Sequence, residues 1–236
     1  MPTLLNTAEG GTNGVQPTTS DTGSGDPFTS IVKTDASAVL EYTNVAVAHG
    51  GMAYRMASRG TLSAESLTWD AAPVVSCRGQ VNVMCDVTPT ATTTLVQFRA
   101  STGGNIAGYL VLSTGRAVQV RDGSLVAQYT FTNLLTAGTY YRLEFHYVAG
   151  GAGAGTIRAA LYALDSSVLI EDSGNVAATP AATVNACGAV RFGIANVVTN
   201  TPSTTGFLYL DDPMAFVVPT VLAQPDLPLV YLRKNR

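Results

Sequence analysis

Between Thr139 and Val148 the side chains alternate in character. Tyr141, Leu143, Phe145 and Tyr147 fall on one side, and Arg142, Glu144 and His146 on the other. A period of two marks a β-strand with one buried face and one wet face, because successive side chains point to opposite faces. The pattern recurs along the chain. Residues 94–100 set Leu95, Gln97 and Arg99 against Val96 and Phe98, and segments 52–56, 66–69, 74–87, 106–130, 156–165, 190–197 and 207–218 read alike. Gly79 interrupts segment 74–87 and predicts a bulge or bend there. Thr114-Gly115 and Asp122-Gly123 divide 106–130 into three strands, the second pair being a strong two-residue hairpin signal. Leu134-Leu135 reads as a short turn. No window carries apolar residues at i, i+3, i+4 and i+7 with helix caps. The chain is therefore expected to be all-β, with about a dozen strands in a single jelly-roll β-sandwich over residues 1–217. Its length of 236 residues suits one such unit.

Two segments stand apart. Residues 8–27 and the AGGAGAG stretch at 149–155 are too rich in Gly, Thr and Ser for regular structure. Residues 218–236 form a Pro-rich extended C-terminal arm. Pro219, Pro225 and Pro228 break any sheet ladder, while Leu222, Leu227 and Tyr231 are apolar enough to dock on the sandwich itself or on a neighbouring subunit.

Composition excludes several roles. Charged residues make up 12% of the chain, about half the usual share. The net charge is −3, and Lys and Arg cluster only at Arg233-Lys234-Asn235-Arg236. Nucleic acid calls for a row of cations, so no nucleic-acid partner is expected. No stretch approaches 18 apolar residues and no basic region precedes an apolar run, so neither membrane insertion nor a signal peptide is expected. The cysteines are Cys77, Cys85 and Cys187. Cys77 and Cys85 are too far apart to bridge on one extended strand and would need a turn at Arg78-Gly79. Small buried hydrophobes are the simpler reading.

Seven pieces, in order, carry a family resemblance: LLNTAEGGTNG at the start, AHGGMAYR (48–55), GRAVQVRDG (115–123), LLTAGTYYRLEFHY (134–147), RAALYALD (158–165), VRFG (190–193) and FLYLDDPMAF (207–216). With them the chain resembles the concanavalin-like, laminin-G-like jelly rolls of actinobacterial proteins and of structural proteins of their phages. The resemblance implies a virion protein of the minor tail or decoration type, made in a host cytoplasm and present in several copies beside other virion proteins. It also implies a structural calcium between an early Asn/Glu-Gly segment and an Asp of the last strand. The candidates here are Glu9, near Asn6, with Asp211 and Asp212. Adjacent carboxylates repel unless compensated, and backbone amides of the opening loop would serve as well as a cation.

Other chemistry is thinly represented. The glucanase branch of this fold uses a Glu-x-Asp-x-x-Glu strand, which this chain lacks. Glu144 lies between Arg142 and His146 on a polar strand face, and Asp165, Glu171 and Asp172 form no such motif. Neither His49 nor His146 is marked for a catalytic triad, and no Cys/His group has zinc spacing. Trp69, Tyr109, Tyr140 and Tyr162 are candidates for stacking on a sugar, with Trp69 better suited to the core. The expected function is a non-enzymatic structural protein of a phage particle. A carbohydrate-binding module for an envelope glycan is the alternative.

Overall fold

The computed structural model describes residues 3–21, 25–58, 64–100, 104–150, 154–178, 186–195 and 206–218. The arm positions Pro219, Leu222, Pro225, Leu227, Pro228 and Tyr231 lie outside them. Among the described residues the chain forms strands and no helix. The strands are β1 (Thr3–Leu5), β2 (Ser30–Lys33), β3 (Val39–Thr43), β4 (Ala53–Ala57), β5 (Glu65–Val74), β6 (Ser76–Cys85), β7 (Thr93–Arg99) and β8 (Ile106–Leu112). They continue as β9 (Ala117–Asp122), β10 (Ala127–Leu134), β11 (Tyr141–Val148), β12 (Thr156–Ala163), β13 (Leu169–Asp172), β14 (Val176–Ala177), β15 (Cys187–Ile194) and β16 (Leu208–Val218).

Two antiparallel sheets result. One runs β13-β12-β11-β6-β16-β4-β3, with β1 added to β16 and β14 to β12; the other runs β10-β9-β8-β7-β15-β5-β2. Their facing sides share one apolar core, so the fold is the expected all-β sandwich. Leu143, Phe145 and Tyr147 of β11 enter that core and Arg142, Glu144 and His146 do not, as the alternation predicts. Phe98 stacks on Tyr147 at 5.6 Å and meets Phe145 edge-on at 5.4 Å, tying β7 of one sheet to β11 of the other. Burying a side chain of this size contributes about 1.5–3 kcal/mol. The additional strands beyond a dozen are mostly short edge pieces such as β1, β13 and β14, whose few residues carry no readable alternation.

Some local expectations change. Gly79 sits in an uninterrupted β6, and a Cβ there would collide with the Met214 carbonyl and the Phe145 ring. The bulge lies opposite, in β16, where the register jumps between Asp211 and Met214 and Asp212 takes φ 47°. Asp122-Gly123 is not a two-residue hairpin. The Asp122 carboxylate accepts the Ser124 and Val126 amides, and Leu125 takes the left-handed conformation. Leu134 ends β10 rather than forming a turn; the chain reverses later, where the Thr139 amide reaches the Thr136 carbonyl. A register shift between Thr94 and Val96 sends Leu95 into the core together with Val96 and Phe98.

At one side the sandwich is closed by a carboxylate. Glu171 of the edge strand β13 accepts the Thr132 and Asn133 amides of β10, the edge strand of the other sheet, at 2.9 and 2.8 Å. The Asn133 side chain (2.7 Å) and the Tyr129 hydroxyl (3.1 Å) add to it. Burial pushes the Glu171 pKa upward, but these donors outweigh it and hold the group at about 2. A folded-state pKa below the unfolded value adds stability above the unfolded pKa, near 4.5, and loses it as pH falls toward 2. Thermal melts of Glu171→Gln are expected to show a flatter loss of stability over that acid window than the parent. Parallel curves would show that Glu171 is not the titrating staple.

Candidate functional site

Antiparallel register places one residue from each of six strands in a single row across the seven-stranded sheet. The row runs Ser30 (β2), Thr68 (β5), Arg191 (β15), Gln97 (β7), Tyr109 (β8) and Arg121 (β9). Their chain neighbours Ile31, Leu67, Val190, Phe192, Val96, Phe98, Leu110 and Val120 belong to the core, so the row faces outward. Arg99 stands two residues along β7 on the same face, and Asp70 two residues along β5.

This outer face is polar yet partly enclosed. Tyr109 and Gln97 are each 1% exposed, whereas Arg99, Arg121 and Arg191 are half-buried and Asp70 is exposed. Tyr109 is thus covered, with the guanidinium-bearing residues Arg99, Arg121 and Arg191 on neighbouring strands of the same face. Arg99 donates through Nη1 to Gln97 Oε1 at 3.1 Å and through Nη2 to the Gly104 carbonyl at 2.8 Å. With its oxygen thus occupied, the Gln97 amide hydrogen-bonds to the Tyr109 phenol. Arg191 Nε donates to Thr68 Oγ1 at 3.3 Å. No ion pair joins Arg99, Arg121 or Arg191 to a carboxylate among the described residues.

The electrostatics are those of an anion site. Burial, and then the like charge of Arg99, lower the pKa of Arg191, with Asp70 offsetting part of the effect. Two partly desolvated cations that repel each other gain from an anion placed between them. Burial raises the Tyr109 phenol to about 12, while the Gln97 hydrogen bond and the charges of Arg99 and Arg191 pull it down. The arrangement can seat a carboxylate and exchange a proton beside it.

The carboxylates expected at a calcium converge elsewhere, on the turn of residues 48–52. Glu9 accepts the Gly51 amide at 3.0 and 2.9 Å and the Met52 amide at 3.1 Å. Asp211 accepts the Ala48 and His49 amides at 2.8 and 2.9 Å. Gly50 takes φ 68°, and a Cβ there would collide with the Glu9 carboxylate, which accounts for the Gly50-Gly51 pair. Asp212 binds His49 Nδ1 at 2.7 Å, and Asp165 binds His49 Nε2 at 2.7 Å. Burial and then the charge of Asp212 raise Asp211 to about 7, against its backbone donors. Backbone N–H groups already bind the Glu9 and Asp211 carboxylates, and no group of three or more His, Cys, Asp or Glu could hold a metal among the described residues. That backbone amides, without a calcium, compensate Glu9, Asp211 and Asp212 is a proposal with a direct test. Calorimetric titration of chelator-treated protein with Ca²⁺ is expected to be flat, with an unchanged melting temperature. Heat release and a raised melting temperature would place the ion among Glu9, Asp211 and Asp212.

The remaining sequence candidates are dispersed. Trp69 lies in the core, stacked on Phe28 at 4.6 Å. Tyr140 is buried and donates to the Ala46 carbonyl at 3.1 Å. Tyr162 lies under the Arg142 guanidinium, 4.5 Å from its ring centre, on the other sheet. Glu144 is buried rather than solvated, and Arg142 binds it at 2.9 Å. His146 Nε2 lies 2.9 Å from Ser76 Oγ. Sequence reasoning put Gln97 and Arg99 on one strand face and named Tyr109, but could not join them to Arg191. That union depends on inter-strand register.

No family model and no curated protein matches this chain. Solved structures of like fold do match. The endo-β-1,4-glucuronan lyase of the fungus Trichoderma reesei is 12% identical, with 91% of this chain and 94% of that one covered and a TM-score of 0.59. An alginate lyase is 11% identical, with coverage of 92% and 97% and a TM-score of 0.60. Domain 4 of an extracellular arabinanase from Geobacillus stearothermophilus, in complex with arabinotriose, is 12% identical, with coverage of 92% and 93% and a TM-score of 0.52. At such identities the likeness is one of fold. The class so defined is the jelly-roll-type β-sandwich used by carbohydrate-active and carbohydrate-binding proteins. The expectation of a non-enzymatic chain is corrected by these lyases. The missing Glu-x-Asp-x-x-Glu strand argues against hydrolysis by a carboxylate pair and leaves elimination chemistry untouched.

Proposed function

We propose that the outer face of the seven-stranded sheet binds an acidic polysaccharide and cleaves it by β-elimination. The observation that carries this reading is Tyr109, hydrogen-bonded to Gln97 and flanked by Arg99 and Arg191, which have no ion pair among the described residues. Arg99 and Arg191 would hold the uronate carboxylate, whose neutralisation makes the adjacent C5 proton easier to remove. Tyr109, as phenolate, would take that proton. The C4–O bond breaks, C4 and C5 become doubly bonded, and the proton passes to the leaving oxygen. One phenol serves both transfers, and the Gln97 donor stabilises its anionic form. The glucuronan and alginate lyases of like fold support the substrate class. Mixing the protein with glucuronan or alginate is expected to generate the ultraviolet absorbance of an unsaturated uronate. Silence with both polymers would sink the catalytic reading.

A second reading gives the same face to glycan recognition. It is favoured by the Tyr109 pKa of about 12, since a phenol that keeps its proton at neutral pH is ready to donate a hydrogen bond and not to act as a base. The arabinotriose complex of a like-folded domain is compatible with it. Assembly in several copies on a virion through residues 219–236 is a separate proposal, resting on the sequence resemblance. Particles carrying normal amounts of protein truncated at Pro219 would refute it.

A further inference from the structure

Cys77 and Cys187 meet where the chain passes from one sheet to the other. β5 belongs to the seven-stranded sheet and β6 to the nine-stranded one, with Val75 alone between them. Cys187 pairs with Val74, the last residue of β5, and Cys77 is the second residue of β6. An extended chain advances about 3.3 Å per residue, and paired antiparallel residues lie about 4.5–5.5 Å apart at Cα. Two residues, Val75 and Ser76, separate Val74 from Cys77, and the crossing turns the chain toward the opposite sheet. Cys77 is 0% exposed and Cys187 2%, both lie in the same apolar core, and each thiol perturbs the other's titration, while Cys77 donates to the Arg78 carbonyl at 3.9 Å and Cys187 to the Ala189 carbonyl at 3.4 Å. Cys85 ends the same β6 strand and is not part of this contact. The pairing that spacing alone raised, Cys77 with Cys85, joins the two ends of one straight strand and cannot close.

We infer that Cys77 and Cys187 are a redox pair that closes to an inter-sheet disulfide when the protein meets an oxidant of the disulfide class, such as oxidised glutathione. The Cys187 thiolate attacks one sulfur of that disulfide and expels one thiolate, leaving a mixed disulfide. The Cys77 sulfur then attacks Cys187, its proton goes to the second leaving thiolate, and the new S–S bond forms. Two protein thiols are oxidised, one small disulfide is reduced to two thiols, and the protein loses two hydrogen atoms. The proximity of the two thiols favours this order, since it raises the Cys77 thiol and lowers that of Cys187. Because both sulfurs are buried, the bond forms during folding or on local opening. It would close a long loop and lock one sheet to the other, raising the melting temperature by roughly 5–15 °C.

The test is to refold the full chain with oxidised glutathione, then measure intact mass, digest without reductant and record the melt. The expected result is loss of two hydrogen atoms, a peptide linking Cys77 to Cys187, and a higher melting temperature that reductant reverses. Cys85→Ser should leave all three unchanged, and Cys187→Ala should abolish the link. If Cys187→Ala fails to fold, the parent and Cys85→Ser still decide the matter. Persistent free thiols, glutathione adducts without the link, or a link through Cys85 would overturn the inference.

Discussion

Tyr109→Phe is expected to lower turnover of a uronate polysaccharide by about 10²–10⁴-fold, the range for loss of a positioned acid or base. The fold should survive, because the ring stays in place and only the hydroxyl that meets Gln97 is lost. Binding should persist, because the carboxylate is held by Arg99 and Arg191. The reciprocal variant, Arg191→Ala, should weaken binding by tenfold or more, the scale of one charge-assisted hydrogen bond. Steady-state kinetics separates the roles: Tyr109→Phe should act on kcat and Arg191→Ala on KM. Unchanged turnover in Tyr109→Phe would remove the phenol from the reaction.

Trp69→Ala is expected to be among the most damaging single changes to the fold. The indole is 2% exposed, stacks on Phe28 at 4.6 Å, meets Phe192 edge-on at 5.6 Å and donates to the Pro27 carbonyl at 3.1 Å. Truncation would leave a cavity and an unsatisfied carbonyl, at a cost of about 3–5 kcal/mol. For a chain of this size that is a fall of roughly 6–20 °C in melting temperature. Trp69→Phe should recover much of the loss by keeping the stacked ring. Denaturant melts resolve the difference, and near-equal stability of Trp69→Ala and the parent would contradict the packing described for β5.

Much of this architecture was legible in the sequence because it depends on period alone. The alternation in β11 fixed which of its side chains enter the core, and Trp69 was readable as a core residue from its place in an alternating strand. Glu9 and Asp211 were expected to meet a calcium or the amides of the opening loop, and the amides that they accept lie elsewhere in the chain. The amides belong to Ala48, His49, Gly51 and Met52 instead, and the Gly50-Gly51 pair that permits the close approach is the signal that could have shown it. His49 could not be joined to Asp165 and Asp212 by spacing, since the contacts span more than a hundred residues.

The candidate site was hidden for the same reason. Gln97, Tyr109 and Arg191 come from three strands, and only the register of β8, β7 and β15 sets them side by side. Paired carboxylates, the motif legible along one strand, suit hydrolysis. Elimination needs cations for the sugar acid and a proton-exchanging group, and a polar strand face supplies both without a local motif. The Cys77–Cys187 contact is likewise a product of the sheet crossing at Val75, invisible to counting along one strand.

The most direct test is isothermal titration of the protein with a uronate oligosaccharide, beside the same oligosaccharide carboxyl-reduced to its neutral form. The arginine-lined face predicts heat with the uronate, little with the neutral sugar, and loss of the signal in Arg99→Ala and Arg191→Ala. Equal binding of both sugars, or uronate binding that survives both substitutions, would contradict the assignment of this face to an acidic polysaccharide.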